Sequence, residues 1–504
     1  MPKSYVKKIL EARVYDVAIE TPLSPALGLS QRLGNTVLLK REDLQPVYSF
    51  KLRGAYNKLC QLTMEQRARG VVAASAGNHA QGLALSAKKL GVEAIIVMPS
   101  TTPAIKVDAV KAHGAEVVIH GDAFDAASKY AQQLVQDKGM VYIHPFDDPY
   151  VIAGQGTIGM EILRQYQGDI EAVFVPVGGG GLLAGIAAYI KYVRPEVKII
   201  GVEPENSACL KAALAADERV ILPEVGLFAE GVAVAQIGEE TFRVIRETVD
   251  EVITVTTDEI CAAIKDIFDD TRSISEPAGA VALAGLKHYS QAKGLKDKAL
   301  IAIESGANTN FDRLRYISER AEIGEQREAV LAVTIPEQAG SFKSFCRSLE
   351  NRNVTELNYR YADDASAHIY VGVQVVAGGY DRQALVDHLS DENYPVVDLT
   401  DNEVAKLHVR HMVGGHAPQV GSELIYSFAF PERPGALMRF LTKLGNEWNI
   451  TLFHYRNHGA AFGRVLVGLQ AAPDDKENLE LFLQQLGYRF ADETNNEAYR
   501  LFIA

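Results

Sequence analysis

Cysteine is scarce in this chain and scattered: Cys60, Cys209, Cys261 and Cys346 are all there is in 504 residues. None forms a C-x-x-C pair, so neither a disulfide framework nor a thiolate zinc site is indicated, and reduced thiols are expected. Long apolar stretches are missing too, since nowhere do about 18 uncharged apolar residues run together. The N-terminus, MPKSYVKKILEARVYDVAIETPL, has neither a continuous apolar stretch nor a small-residue cleavage site. A cytoplasmic chain without export or membrane span is therefore expected. Basic charge is in deficit, with 51 Lys and Arg against 64 Asp and Glu for a net −13. Phosphate backbones and anionic lipid repel such a chain as a whole, which sets nucleic acid and membrane aside as partners. Proline is also low, at 19 residues beside 41 Gly, while 47% of residues are hydrophobic and 23% charged. That is ordinary globular composition, and at roughly 150 residues per domain the length accommodates about three domains.

From residue 70 short apolar runs alternate with longer amphipathic ones. GVVAAS, VEAIIVMP, AEVVIHG and MVYIHPF read as buried strands, with helices over HAQGLALSAKKLG, TPAIKVDAVKAHG and DAFDAASKYAQQLVQDKG between them. The pattern resumes with AVFVPV, four glycines, a helix over LLAGIAAYIKYV and the strand KIIGVE. Strands this apolar, each followed by a helix, imply βαβ units and a sheet covered on both faces. Residues 1–322 are thus expected to form an α/β region of two lobes, the smaller within about 42–150.

Beyond residue 322 the chain repeats itself. IPEQAGSFKSFCRSL begins at Ile335 and FPERPGALMRFLTKL at Phe430, an offset of 95, and NVTELNYRY at Asn353 returns as NITLFHYRN at Asn449, an offset of 96. YVGVQV at Tyr370 likewise returns as LVGLQA at Leu466. One inserted residue in about a hundred indicates a duplicated module. Each copy, 323–411 and 420–504, reads as strand, helix, strand, strand, helix, strand, which suggests a ferredoxin-like α+β sandwich. MVGGHAPQVGSE, from Met412, has the glycines and proline of a connector.

Four segments of the α/β region are poor as packing and good as ligand chemistry: SFKLRGA (Ser49 to Ala55), SAGNHAQG (Ser75 to Gly82), VGGGGLLAG (Val177 to Gly185) and ESGAN (Glu304 to Asn308). Gly178, Gly179, Gly180 and Gly181 stand between a strand and a helix, where backbone N–H groups can converge on an anion. No Lys-Ser or Lys-Thr follows, so this is no triphosphate loop, but Gly179, Gly181 and Ala184 fit a dinucleotide fingerprint with Glu203 ending the next strand. SAGNHAQG is a second anion-ready turn, in which Ser75 and Asn78 could equally be helix caps and His79 a packing residue. Lys51 could belong to a basic face with Lys40, Arg41 and Arg53, or be an amine held beside an aromatic ring for a Schiff base with a carbonyl cofactor.

Taken together, the four segments resemble the fold-type II pyridoxal-phosphate enzymes, built like the β subunit of tryptophan synthase, and among them the threonine and serine dehydratases. The twin module is similar to the paired ACT-like regulatory domains of the biosynthetic threonine dehydratases, so the likeness covers essentially the whole chain. It implies pyridoxal 5'-phosphate as cofactor. Lys51 would supply its Schiff base, Phe50 would lie beside the ring, and Gly178, Gly179, Gly180, Gly181 and Leu182 would hold the phosphate. Asn78 would bond the ring hydroxyl, and Ser305 would face the pyridine nitrogen. Ser75, Ala76, Gly77, Asn78 and His79 would bind the substrate carboxylate. The activity implied is conversion of L-threonine to 2-oxobutanoate and ammonia, with L-serine as a further substrate. It would commit threonine to isoleucine synthesis in a homotetramer inhibited by isoleucine, with valine as an opposing effector. Gly340 and Gly435 would shape the effector turns. A catabolic dehydratase, a serine racemase and a non-catalytic amino-acid sensor are the alternatives. No metal is implied, although Glu203 and Glu230 could touch a cation site like that of some relatives; two acids alone do not specify one. Glu276, in SEPAGA, is either a carboxylate near the cofactor face, as the resemblance implies, or an acid at a helix start favoured by the dipole, the latter being preferred.

Overall fold

The structure, a computed structural model, describes all residues except 1, 337–340, 350–351, 353, 362–365, 412–422, 432–447, 457–461, 472–474 and 504. The chain divides into two compact units, Met1–Ala321 and Glu322–Ala504.

The first unit holds two sheets. In the larger, the order is Leu23–Pro25, Thr36–Arg41, Ala299–Glu304, Ala172–Pro176, Lys198–Pro204, Glu251–Val255, and all neighbours are parallel except the first pair. The smaller sheet is wholly parallel, in the order Glu116–Ile119, Ala94–Met98, Val71–Ala74, Val141–Tyr142. AVFVP and AIIVM are buried at every position, as expected of strands covered on both faces by helices. Helix starts are marked locally: Asp148 accepts from the N–H groups of Tyr150 and Val151 with Pro149 at the first position, and Thr256 with Glu259 forms a capping box. The strand expected over MVYIHPF is only Val141–Tyr142, because it pairs with Val71 and Val72 alone before the chain turns away through His144 to Asp148.

The second unit contains two antiparallel four-stranded sheets of the same design. One has the order Val354–Tyr361, Ser366–Gln374, Glu328–Pro336, Val396–Asp398; the other has Asn449–Arg456, Phe462–Gln470, Glu423–Pro431, Arg489–Asp492. The two copies agree even in their irregularity, with the register slipping between Val354 and Glu356 in one and between Ile450 and Leu452 in the other. Both are ferredoxin-like, and each adds a short helix that the pattern did not announce, Glu403–Leu407 and Glu497–Phe502, capped by Asn402 and Asn496. Asn402 donates to Asn496 Oδ1 at 3.4 Å, and Tyr370, Val404, Ile425, Leu466 and Tyr499 share one core. The connector from Met412 through Ser422, Gly340, Gly435 and the first helix of the second copy lie outside the described residues.

Candidate active site

Lys51 is the first residue of the helix Lys51–Cys60. The chain before it runs beside the segment that leaves the strand Ala299–Glu304: Ser49 bridges Gly306, the Ala307 N–H donates to Tyr48 O at 2.9 Å, and the Phe50 N–H donates to Ser305 O at 3.3 Å. These bonds bring Lys51 next to Ser305. The Lys51 amine donates to Pro145 O at 3.2 Å and lies 5.2 Å from the centre of the Phe50 ring. Burial pushes this amine down to about 8, and the charge of Glu276 offsets only part of that effect. Lys40, Arg41 and Arg53 are buried, so the basic-face reading is wrong. Arg53 instead pairs with Glu42 and Glu161, and Lys40 with Glu161, in a charge cluster below the helix.

The four glycines follow the strand Ala172–Pro176, and the helix Gly181–Val193 starts inside them. Gly180 has φ +90°, a conformation that costs an L side chain. A Cβ on Gly179 would stand 2.2 Å from the Phe146 ring, so the loop is walled by the residue next to Pro145. Gly179 O is held from behind by Thr241 Oγ1 at 2.7 Å and by the Gly238 N–H at 3.3 Å. What stays directed forward is backbone N–H at a helix N-terminus, which the helix itself cannot pair and which suits a phosphate.

The Ser75–Asn78 turn follows the strand Val71–Ala74 and opens the helix Asn78–Leu90. Asn78 donates to Glu276 Oε1 at 2.5 Å and accepts from Asn308 Nδ2 at 2.7 Å. The small sheet's turn is thereby tied to the large sheet beside Ser305, whose hydroxyl donates to Ala278 O at 3.3 Å. His79 is committed elsewhere: its Nε2 lies 2.9 Å from Ile143 O, and burial, reinforced by Lys51, pushes the ring down to about 3. A neutral imidazole so placed leaves only the His79 backbone to face a ligand. Glu276 corrects the expectation made for it. It stands at the N-cap of the helix Pro277–Ala292, yet its side chain makes no capping bond and meets Asn78 instead. Burial raises its carboxyl, and the Asn78 bond works against that rise.

Glu203 accepts from the N–H groups of Leu210 and Lys211 at 2.8 and 2.9 Å and is buried, so it is not available to a ribose hydroxyl. That removes the dinucleotide reading of the glycines. Glu230 ion-pairs with Lys106 and Arg313. Among the described residues no group of three or more His, Cys, Asp or Glu could hold a metal ion.

Lys51, Phe50, Asn78, Ser305 and the glycine loop are therefore brought together at the carboxyl ends of strands from both sheets, where open α/β sheets bind ligands. Pro145, Phe146, Thr241, Glu276 and Asn308 belong to the same place. The group these residues fit is pyridoxal phosphate: a buried amine with a depressed pKa for an aldehyde, an anion cup for a phosphate, and a buried Ser49 hydroxyl without a partner among the described residues. Among the described residues no helix is long and apolar enough to cross a membrane.

The family model for pyridoxal-phosphate dependent enzymes matches residues 14–306, and the model for the C-terminal regulatory domain of threonine dehydratase matches twice, at 319–409 and 414–503. The chain is 56% identical to L-threonine dehydratase biosynthetic IlvA of Burkholderia multivorans over 99% of both chains, and 55% identical to that of Escherichia coli over 99% of this chain and 97% of the other. Among solved structures, the processed form of threonine deaminase isoform 2 from Solanum lycopersicum superposes with a TM-score of 0.63 at 52% identity, covering 64% of this chain and 93% of that one. Maize serine racemase reaches 0.59 at 32% identity, over 62% and 95%.

Proposed function

The chain belongs to the pyridoxal-phosphate-dependent biosynthetic threonine dehydratases, and on that premise we propose that it dehydrates and deaminates L-threonine to 2-oxobutanoate and ammonia, and L-serine by the same route. The observation that carries this reading is the Lys51 amine, buried between Pro145 O and the Phe50 ring with its pKa drawn down to about 8. Pyridoxal phosphate, when bound, supplies an electron sink that makes the α-proton of an amino acid removable.

The chain's own residues divide the remaining work. The N–H groups of Gly178, Gly179, Gly180, Gly181 and Leu182 would hold the cofactor phosphate at the helix N-terminus. Asn78, fixed by Glu276 and Asn308, presents its amide to the ring hydroxyl. Ser305 would place a neutral hydroxyl, rather than a carboxylate, beside the ring nitrogen, an environment that would not hold that nitrogen protonated and would favour elimination. Backbone N–H groups and the hydroxyl of the Ser75–His79 turn bind the substrate carboxylate. Lys51 Nζ would take the α-proton as general base, a role that burial favours by lowering the amine from its ordinary 10.5 to about 8 and so raising its neutral fraction.

Residues 323–411 and 420–504 are the regulatory modules in this reading, with isoleucine as inhibitor and valine opposing it. Inhibition requires isoleucine to bind one global state more tightly than the other. The experiment is direct: the purified chain with L-threonine, keto-acid formation followed with and without isoleucine. Turnover of threonine that isoleucine suppresses is expected, whereas activity on L-serine alone would turn the reading toward a serine dehydratase or racemase.

A further inference from the structure

The small lobe is joined to the large one by an ion pair outside the site described above. Lys106, on the small-lobe helix Ala104–Ala112, meets Glu230 Oε2 at 2.6 Å, and Arg313 meets Glu230 Oε1 at 2.5 Å. Burial raises the Glu230 carboxyl, but Arg313 and then Lys106 outweigh it and hold it below the usual range. Glu230 begins the short turn Glu230–Val232, and that turn borders the site on two sides. A Cβ on Gly231 would stand 3.6 Å from Glu276 Oε1 and 3.9 Å from Asn78 Nδ2, and one on Gly178 would stand 2.9 Å from Val232 Cα. Whatever moves this turn moves a wall shared by the Asn78 amide and the glycine loop.

The same turn is gripped by one helix. Arg313 opens the helix Arg313–Gly324 and, besides its ion pair, donates to Phe228 O at 2.9 Å, while the Phe228 ring lies 5.3 Å from that of Tyr316. Arg320 of this helix pairs with Asp258 of the catalytic unit. The helix then runs past Ala321 and Glu322, where the catalytic unit ends and the regulatory unit begins. It is continuous from the turn at the site to the first residues of the second unit.

We propose that Lys106, Glu230 and Arg313 form a latch of positioning residues that holds the small lobe, with its Ser75–Asn78 turn, against the large lobe, and that the helix Arg313–Gly324 is the element through which the regulatory unit tightens or releases it. The second half rests on the reading that the C-terminal unit binds an effector. None of the three residues takes part in proton transfer, so their loss weakens substrate binding and leaves the chemical step.

The test uses the full-length holoenzyme. Lys106→Met is expected to raise KM for L-threonine about three- to fivefold, the size of one lost part-exposed ion pair, with kcat within about twofold and the cofactor's visible absorbance unchanged; Lys106→Arg restores KM. Arg313→Met is expected to blunt isoleucine inhibition, moving the half-inhibitory concentration about tenfold or more. A fall in kcat with KM untouched in Lys106→Met, failure of Lys106→Arg to rescue, or a wild-type isoleucine response in Arg313→Met would overturn the latch. Hydrogen exchange along Ala104–Ala112 gives a readout independent of activity: it quickens in Lys106→Met if the latch holds the lobe, and unchanged protection refutes it. A wild-type enzyme that leaves threonine untouched would instead refute the functional reading, with the exchange experiment still deciding the latch.

Discussion

The amine of Lys51 donates to the carbonyl oxygen of Pro145 at 3.2 Å, and the next residue, Phe146, is the wall against which Gly179 is set. One short loop therefore gauges the distance between the Lys51 amine and the glycines proposed to hold the cofactor's phosphate. The amine is held by a neutral carbonyl, with burial disfavouring its charge.

Lys51→Ala is expected to abolish turnover and the visible absorbance of the bound cofactor, measured by keto-acid assay and spectrum. In the cofactor-free chain the same change should stabilise. The folded pKa of about 8 lies below the ordinary 10.5, so protonation opposes folding; the penalty is full below pH 8 and fades as pH rises toward 10.5. Removing it is worth at most about 3 kcal/mol, read by urea unfolding of both chains at pH 7 and at pH 10.

Gly179→Ala places a methyl group 2.2 Å from the Phe146 ring, inside any van der Waals contact. The ring must move, at about 1–3 kcal/mol of overpacking, and it moves together with Pro145. Cofactor affinity should fall by about tenfold or more, while the large sheet behind the loop keeps its fold. Titration of the cofactor-free chain with pyridoxal phosphate checks this, and unchanged affinity would contradict the role given to Phe146.

Arg53→Met strands the Glu42 carboxylate, since Glu161 keeps Lys40. Arg53, Glu42 and Glu161 are fully buried and Lys40 pairs with Glu161, so the cluster is neutral only while both cations remain. Breaking a buried pair from one side costs about 3–5 kcal/mol. Calorimetry should show the catalytic unit melting earlier, and Arg53→Met combined with Glu42→Leu should recover much of the loss, because the uncompensated charge goes with it while Lys40 and Glu161 stay paired.

Residue type alone singled out the candidates that the structure brings to one place. Lys51, Asn78, Ser305 and the four glycines each need a particular side chain, or none, at a particular place on a strand-to-helix turn, and the strands and helices behind them follow from apolar periodicity. Pro145 and Phe146 were not legible, since one acts through a backbone carbonyl and the other through a contact across the unit. Glu276 was misjudged for a related reason. Its position before Pro277 marks a helix start, which it is, but nothing in the order of residues says that its side chain turns to Asn78 instead of the helix N–H groups. The charge cluster around Arg53 likewise looked like a surface, because burial of Lys40 and Arg53 depends on Glu161, more than a hundred residues later.

Glu203 is another buried acid, and its consequence is a pH dependence of stability. Burial pushes its carboxyl up from 4.5 to about 7, although the Leu210 and Lys211 N–H groups pull the other way. A raised folded pKa means the folded chain keeps a proton that the unfolded chain gives up near 4.5. Between pH 4.5 and 7 this group's contribution to stability is lost as pH rises, by at most about 3 kcal/mol in total. Glu203→Gln cannot ionise and still accepts one of the two backbone N–H bonds through its amide oxygen. The slope between pH 4.5 and 7 should therefore flatten in Glu203→Gln, with the variant less stable than wild type near pH 4.5, where the protonated acid satisfies the site, and gaining on it by pH 7.5. Urea midpoints at three or four pH values decide it, and parallel curves for the two proteins would show that Glu203 is ionised throughout and that the helix N–H groups win over burial.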